Sequence, residues 1–259
     1  MCAGLSSRFG GKIKQFATVG PNGETLIEIS MNQAIAGGAE KIIFIVGDKT
    51  EAPFKEKFGE SYNGTPIVYA KQEFNVADRD KPWGTCDALV SAKPYVDGPF
   101  VVCNGDDLYG ENSFAYMFNS AKFEESATLG YKLETVLPES GTVNRGIFQI
   151  DQNSYVREIR ETLNIEKSKL TEFGLTPAAL TSQNIFCLKP EHLALLEEQL
   201  NNFKASHLGD RKSECYLPVE LSSLIAEKRI KMTLFNAPDK WIGVTNPDDE
   251  LIVREYLKR

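Results

Sequence analysis

The apolar positions of the chain follow two different rhythms. Ile42-Ile-Phe-Ile-Val46 is apolar throughout, mostly β-branched, and closed by Gly47, the pattern of a short strand buried on both faces. Before it, residues 25–37 place Leu26, Ile29 and Ile35 at helical spacing. Residues 67–70 read as a second strand and residues 99–103 as a third, with residues 84–93 helical between them. Strands and helices in alternation predict an α/β fold, a doubly wound sheet flanked by helices. The second half reads differently. Strands are expected at 127–132, 146–151, 185–188 and 231–236, separated by longer turns, with helices at 191–203, 217–227 and 248–257. Leu193, Leu196 and Leu200 share one face of the first of these helices. Repeats, low-complexity stretches and a clear linker are absent from the sequence. The expectation is one domain over 1–259, built from a half over 1–125 and a strand-rich half over 126–259.

Composition narrows the classes. A chain of 259 residues with 42% hydrophobic and 25% charged positions is ordinary for a globular protein. A formal net charge of −7 argues against broad nucleic-acid or anionic-membrane binding, which need a basic face. The five cysteines are odd in number and dispersed, without a Cys-x-x-Cys pair, and so suggest reduced thiols in the cytoplasm. Apolar runs stay well short of the roughly 18 residues of a membrane span, and a signal-peptide pattern is missing. The two histidines, His192 and His207, are too few for a histidine metal cluster and disfavour a hydrolase triad.

Three segments carry chemistry. Residues 4–14 combine Gly4, Gly10 and Gly11 with Ser6, Ser7, Arg8, Lys12 and Lys14. Glycine lets backbone N–H groups approach phosphate oxygens, hydroxyls donate to them, and cations neutralise them. The spacing is neither a P-loop nor Gly-x-Gly-x-x-Gly, and a plain basic N-terminus is the competing reading. Only Met1, Cys2 and Ala3 precede this loop, although such loops follow strands, so either the first strand is very short or the true start lies upstream. The second segment is the apolar strand at 99–103, which delivers Asp106 and Asp107 after Asn104-Gly105, at the sheet edge where ligands of open α/β folds sit. Carboxylates there suit Mg²⁺, a hard cation; a simple Asx turn would account for the Asn and Gly alone. The third is Lys71-Gln72 followed by Trp83-Gly84-Thr85 at a helix start. Taken by itself, Thr85 reads as a helix cap and Trp83 as packing.

In this order the three segments resemble the sugar-phosphate nucleotidyltransferase family, and residues 20–24, 83–85 and 104–110 resemble a bacterial subgroup of it. The resemblance implies a Rossmann-like mixed sheet and Mg²⁺-dependent transfer of a nucleotidyl group from an NTP to a small phosphorylated acceptor, with release of pyrophosphate. By position, Ala3, Gly4 and Arg8 would hold the nucleotide and triphosphate, with Arg8 and Lys14 catalytic. Gln72, Gly84 and Thr85 would contact the base, and Asp106 would bind the metal, with Asp107 the weaker candidate. Gly146, Glu161 and Asn184 would hold the acceptor. Residues 241–245 resemble the segment bearing a second metal ligand, a role for which Asn246 or Asp248 are the nearest candidates. The chain departs from the family at 161–163, where Glu-Thr-Leu replaces the frequent Glu-Lys-Pro and a phosphate-binding lysine is missing. Arg145, Lys189 or Arg211 could replace it. A sugar 1-phosphate is the expected acceptor; phosphocholine or a polyol phosphate, and a nucleotide-binding module without turnover, stay open. Nucleic acid and membrane are not expected partners, and a homo-oligomer is left open.

Overall fold

The computed structural model describes residues 1–4, 13–120, 125–138, 141–244 and 249–258. A 3₁₀ turn at Lys14–Phe16 leads to α1 (Leu26–Ala36), β1 (Ile42–Val46), α2 (Glu51–Phe58), β2 (Ser61–Tyr62) and β3 (Thr65–Lys71). Next come α3 (Thr85–Ser91), β4 (Phe100–Val102), β5 (Asp107–Leu108), α4 (Glu111–Ser120), β6 (Ser126–Lys132) and α5 (Leu133–Val136). The long hairpin β7 (Thr142–Ile150) and β8 (Val156–Glu166) is followed by β9 (Leu180–Thr181) and β10 (Phe186–Leu188). The chain closes with α6 (Pro190–Ser206), α7 (Leu217–Ala226), β11 (Met232–Asn236), β12 (Ile242–Gly243) and α8 (Asp249–Leu257).

Among the described residues the strands form a three-stranded sheet, β1-β3-β2, a seven-stranded sheet, β4-β10-β6-β9-β7-β8 with β11 beside β6, and a two-stranded sheet, β12-β5. The larger sheet takes β4 from the first half and the rest from the second. β1 and β3 are parallel, whereas β10 runs antiparallel to both β4 and β6, so the architecture is the mixed α/β one expected. Residues 1–3 run between β1 and β4: the Cys2 N–H donates to Ile45 O at 2.7 Å, and the Gly105 N–H donates to Met1 O at 2.9 Å.

Local chemistry explains where the elements begin. The Glu28 carboxylate accepts the Thr25 backbone N–H at 2.7 Å, a capping-box contact that starts α1. Several elements go beyond the sequence reading, and α2, α4 and β8 are the longest of them. α2 has only Phe54 and Phe58 buried and carries Pro53 in its first turn, leaving too little periodicity to detect. α4 carries Phe114 and Met117 inward. β8 is long and rich in charge, with Val156, Ile159 and Ile165 alone buried among its apolar residues.

An aromatic cluster beneath the small sheet positions the start of the chain. Phe54 is fully buried, and the Phe16 ring lies 4.8 Å from it, with Phe44 at 4.9 Å. Through Phe16 this cluster holds the turn that carries Lys14 and Gln15. Phe54→Ala is expected to cost about 3–5 kcal/mol of stability, measured by urea unfolding. A loss below about 1 kcal/mol would show that the cluster does not brace this end of the sheet.

Candidate active site

Ala3, Lys14, Gln72 and Asp106 lie near the ends of β1, β3 and β4. Lys14 forms an ion pair with Asp106, joining the 3₁₀ turn to the end of the β4 strand. Ala3 is buried, and its carbonyl oxygen would lie 3.2 Å from a Cβ added at Gly47, so the turn after β1 packs directly on it. Gly4 is exposed beside open space. Arg8 lies outside the described residues, as do Asn246 and Asp248.

Asp106 and Asp107 sit in different surroundings. Asp106 keeps about a quarter of its side chain exposed, at 25%. Asp107 is buried, and its Oδ2 accepts from Asn104 Nδ2 at 2.9 Å. Burial and the neighbouring charge of Asp106 push the Asp107 carboxyl up to about 7, against the opposing pull of the Asn104 hydrogen bond and the Lys14 charge. The strand β12 pairs with β5, so Gly243 stands opposite Asp107, and a Cβ there would come within 2.7 Å of Asp107 Oδ1. The 241–244 segment therefore lies alongside the acidic pair. Asn104, Tyr109 and Gln15 are site neighbours to which the sequence reading gives no individual role. Tyr109 is fully buried and its hydroxyl donates to Gln183 O at 2.6 Å, tying the acidic turn to the 182–184 segment. Gln15 is buried with its Oε1 unpartnered among the described residues. A glutamine directly after the loop lysine was the available signal.

Gln72, Gly84 and Thr85 have clear structural duties. The Gln72 N–H donates to Val46 O at 2.8 Å, and its Nε2 donates to Gly84 O at 3.0 Å and to Asp87 Oδ2 at 2.8 Å. Asp87 also receives Lys204 Nζ at 2.6 Å. Gly84 has φ 96°, and a Cβ there would meet Cys215 O at 2.6 Å, so the turn admits only glycine. Thr85 is the first residue of α3 rather than its cap, and its Oγ1 accepts the Leu217 N–H at 2.9 Å. Trp83 packs under the Arg79 guanidinium, 3.4 Å from its ring centre.

On the acceptor side, Gly146 of β7 stands opposite Glu161 of β8, and its carbonyl accepts the Ser182 N–H at 2.8 Å. A Cβ on Gly146 would come within 3.0 Å of Ile159 and 3.7 Å of Glu161 Oε2, so the small residue keeps this wall close. Asn184 follows with φ 57°, its N–H donating to Ser182 Oγ at 3.2 Å. Glu161 is exposed. Arg145 reaches back from β7 and is held by Val136 O and Asn144 O, each at 3.1 Å. Burial lowers the Arg145 pKa, while the charges of Asp107 and Glu161 oppose that shift. Of the other cations considered, Arg211 is paired with Asp80 at 2.8 Å, and Lys189 precedes α6, at the far end of β10.

Among the described residues, groups of three or more His, Cys, Asp or Glu able to hold a metal are absent. Two adjacent carboxylates nevertheless fit Mg²⁺, which commonly takes one or two protein carboxylates and completes its shell with phosphate oxygens and water.

The sequence matches the family described as Nucleotidyl transferase over residues 11–208. The chain belongs to this family. It is 26% identical over 204 residues to a bifunctional protein, GlmU, of Methanocaldococcus jannaschii, covering 78% of this chain and 41% of that protein. A UTP–glucose-1-phosphate uridylyltransferase of Haloferax volcanii is 28% identical over 91 residues, or 35% of this chain and 34% of that protein. The chain therefore spans less than half the length of these curated relatives. The inositol-1-phosphate CTP transferase of T. maritima shares the fold, with TM-score 0.67 and 14% identity over 100% of this chain and 94% of that one. The Rossmann-like α/β expectation is thus met. In the described residues a helix long and apolar enough to cross a membrane is absent.

The raised Asp107 pKa carries a sign. The folded protein holds a proton that the unfolded chain releases near the ordinary aspartate value of 3.8. The native state therefore binds more protons between about pH 4 and 7, and the Asp107 contribution to stability falls as pH rises through that window. In metal-free buffer, Asp107→Asn should gain stability relative to the parent by on the order of 2–4 kcal/mol across the window, and level off above it. Parallel stability–pH curves from chemical denaturation would contradict the buried assignment.

Proposed function

We propose that the protein transfers a nucleotidyl group from an NTP to a small phosphorylated acceptor, a sugar 1-phosphate, forming an NDP-sugar and pyrophosphate. The observation that carries this reading is the Lys14–Asp106 ion pair at the strand ends, joined by the paired Gly146 and Glu161 of β7 and β8 and by Arg145, whose charge Asp107 and Glu161 both favour. Family membership supports the reaction class.

In this reading the acceptor phosphate oxygen attacks the α-phosphorus of the NTP, and the bond from that phosphorus to the bridging oxygen breaks as pyrophosphate leaves. The nucleophile is already anionic, so the protein's task is positioning and charge neutralisation rather than proton abstraction. Lys14 and Arg8 neutralise the triphosphate. Ala3 and Gly4 present backbone to it. Gln72, Gly84 and Thr85 form the floor for the base, with Gln72 fixing the Gly84 carbonyl. Asp106 would hold Mg²⁺, with Asp107 beside it, and the bound ion would supply charge neutralisation at the phosphates. Glu161 and Asn184 offer an acceptor carboxylate and a donor–acceptor amide to sugar hydroxyls. Arg145 takes the place of the lysine missing after Glu161. A choline-type acceptor is disfavoured by the aromatic residues: Tyr155 lies beneath Lys231 at 3.9 Å, and Trp241 faces Arg145 at 5.5 Å, so both already face the protein's own cations. The five free cysteines suit a reducing cytoplasm.

Pyrophosphate release, measured with each NTP against sugar 1-phosphates, polyol phosphates, phosphocholine and no acceptor, tests the reaction. NTP binding without release for any acceptor would favour the module without turnover. Lys14→Ala should weaken NTP affinity roughly tenfold to a hundredfold by isothermal titration. Asp106→Asn should remove most Mg²⁺-dependent turnover while keeping the fold by circular dichroism, and should do more harm than Asp107→Asn; the reverse ranking would reassign the ligand. Glu161→Ala and Asn184→Ala should raise the acceptor KM and leave NTP affinity nearly unchanged. Wild-type acceptor kinetics in both would move the acceptor pocket elsewhere.

A further inference from the structure

The side-chain amide of Gln72 can face only one way. Gln72 follows β3 and is buried, with its backbone N–H on Val46 O at the end of β1. Its side-chain nitrogen lies 3.0 Å from Gly84 O and 2.8 Å from Asp87 Oδ2. A carbonyl oxygen and a carboxylate oxygen both accept hydrogen bonds and neither donates one. The end of the amide placed between them is therefore its NH₂ group, and both of its hydrogens are in use. The oxygen Oε1 is the amide's remaining polar atom, and among the described residues it accepts no hydrogen bond.

The carboxylate is what locks this arrangement. Asp87 is buried in the first turn of α3, and each of its oxygens has one partner. Oδ2 accepts from Gln72, and Oδ1 accepts from Lys204 Nζ of α6 at 2.6 Å. The ion pair keeps both oxygens as acceptors. The Lys204 ammonium in turn lies 5.8 Å from the centre of the Trp83 ring, so the pair is itself held in place. A bond to Gly84 O alone would leave the amide a pivot; the second bond, to Asp87, removes it.

We propose that Asp87, braced by Lys204, is a positioning residue for base selection: it turns the Gln72 amide so that Oε1 is presented to the base of the bound NTP. This deepens the nucleotidyl-transfer reading and rests on Gln72 lying against the base. Gln72 then accepts from the base and cannot donate to it. The edge that meets Gln72 has to supply an N–H, and an edge showing only a carbonyl oxygen or a bare ring nitrogen meets a like acceptor and is refused.

Two double variants separate this role from packing. Asp87→Asn with Lys204→Met and Asp87→Leu with Lys204→Met both remove the ion pair and put a branched side chain of similar shape at 87. Only the first keeps an acceptor for the Gln72 nitrogen, the Asn carbonyl oxygen. Dissociation constants for ATP, GTP, CTP, UTP and dTTP are measured by isothermal titration with Mg²⁺ present, alongside inorganic tripolyphosphate as a probe without a base. The parent is expected to favour one base over the next by about tenfold or more. The Asn–Met protein should keep that ratio within about threefold, and the Leu–Met protein should lose at least about fivefold of it. Tripolyphosphate affinity should be the same in all three. In the parent, NMR of the Gln72 side-chain NH₂, assigned by its loss in Gln72→Leu, should show both hydrogens protected from solvent exchange. Equal base selectivity in the two double variants overturns the proposal, as does a parent without base preference. Rapid exchange of the Gln72 NH₂ overturns it without recourse to the double variants. NTP binding with the expected selectivities but no pyrophosphate release leaves this inference standing and removes the transfer reading. Turnover with unaltered selectivity in the Leu–Met protein does the reverse, and a parent that binds no NTP overturns both.

Discussion

The hydrogen bonds made by Met1 and Cys2 to both Ile45 and the 103–105 turn connect the small sheet to the large one. The rest of the site depends on this seam. Ala3 and Gly4 leave it at the level of Gly47, and Gly105 is buried against it with Cys2 at its back, where a Cβ would lie 2.3 Å from the Cys2 sulfur. The acidic turn therefore stands at a fixed height relative to the ends of β1 and β3. Lys14 reaches Asp106 because its own turn is pinned from below by Phe16 on Phe54. A loop of glycines and cations has no preferred shape in isolation; here its two ends are held, one by backbone ladder bonds and the other by aromatic packing.

The sequence made the buried strands easy to find and the exposed ones hard. β1 and the 99–103 strand are apolar at nearly every position because helices cover both of their faces, and such runs stand out. β8 is different. Arg157, Arg160 and Leu163 face outward, Asn164 takes a left-handed turn at φ 56°, and the register against β7 shifts twice, so no single period runs through it. β7 was placed at 146–151 and begins at Thr142, because its first residues are exposed and polar.

Site legibility divides in a similar way. Asp106 and Lys14 stood out because glycine-rich and strand-end chemistry is local. Their direct ion pair was not foreseeable, nor was the contact of Gly243 with Asp107, because each joins segments far apart in the chain. The bland reading of Trp83 as packing is what its contacts with Arg79 and Phe203 describe. Thr85 was expected to cap α3 if it were merely structural; its hydroxyl instead receives the first N–H of α7, a donor 132 residues away. A helix end distant in sequence competed for that oxygen and won.

That contact has a mechanical meaning. α7 is a ten-residue rod whose first N–H is tied to Thr85. Further along, its Ser222 hydroxyl accepts the Ile159 N–H of β8 at 2.9 Å, two residues from Glu161. The Gly84–Thr85 turn and the strand bearing Glu161 are thus fastened to the same stiff strut. One helix fixes the spacing between the Gly84 turn and the strand bearing Glu161, so neither end of the cleft is set by its local sequence alone.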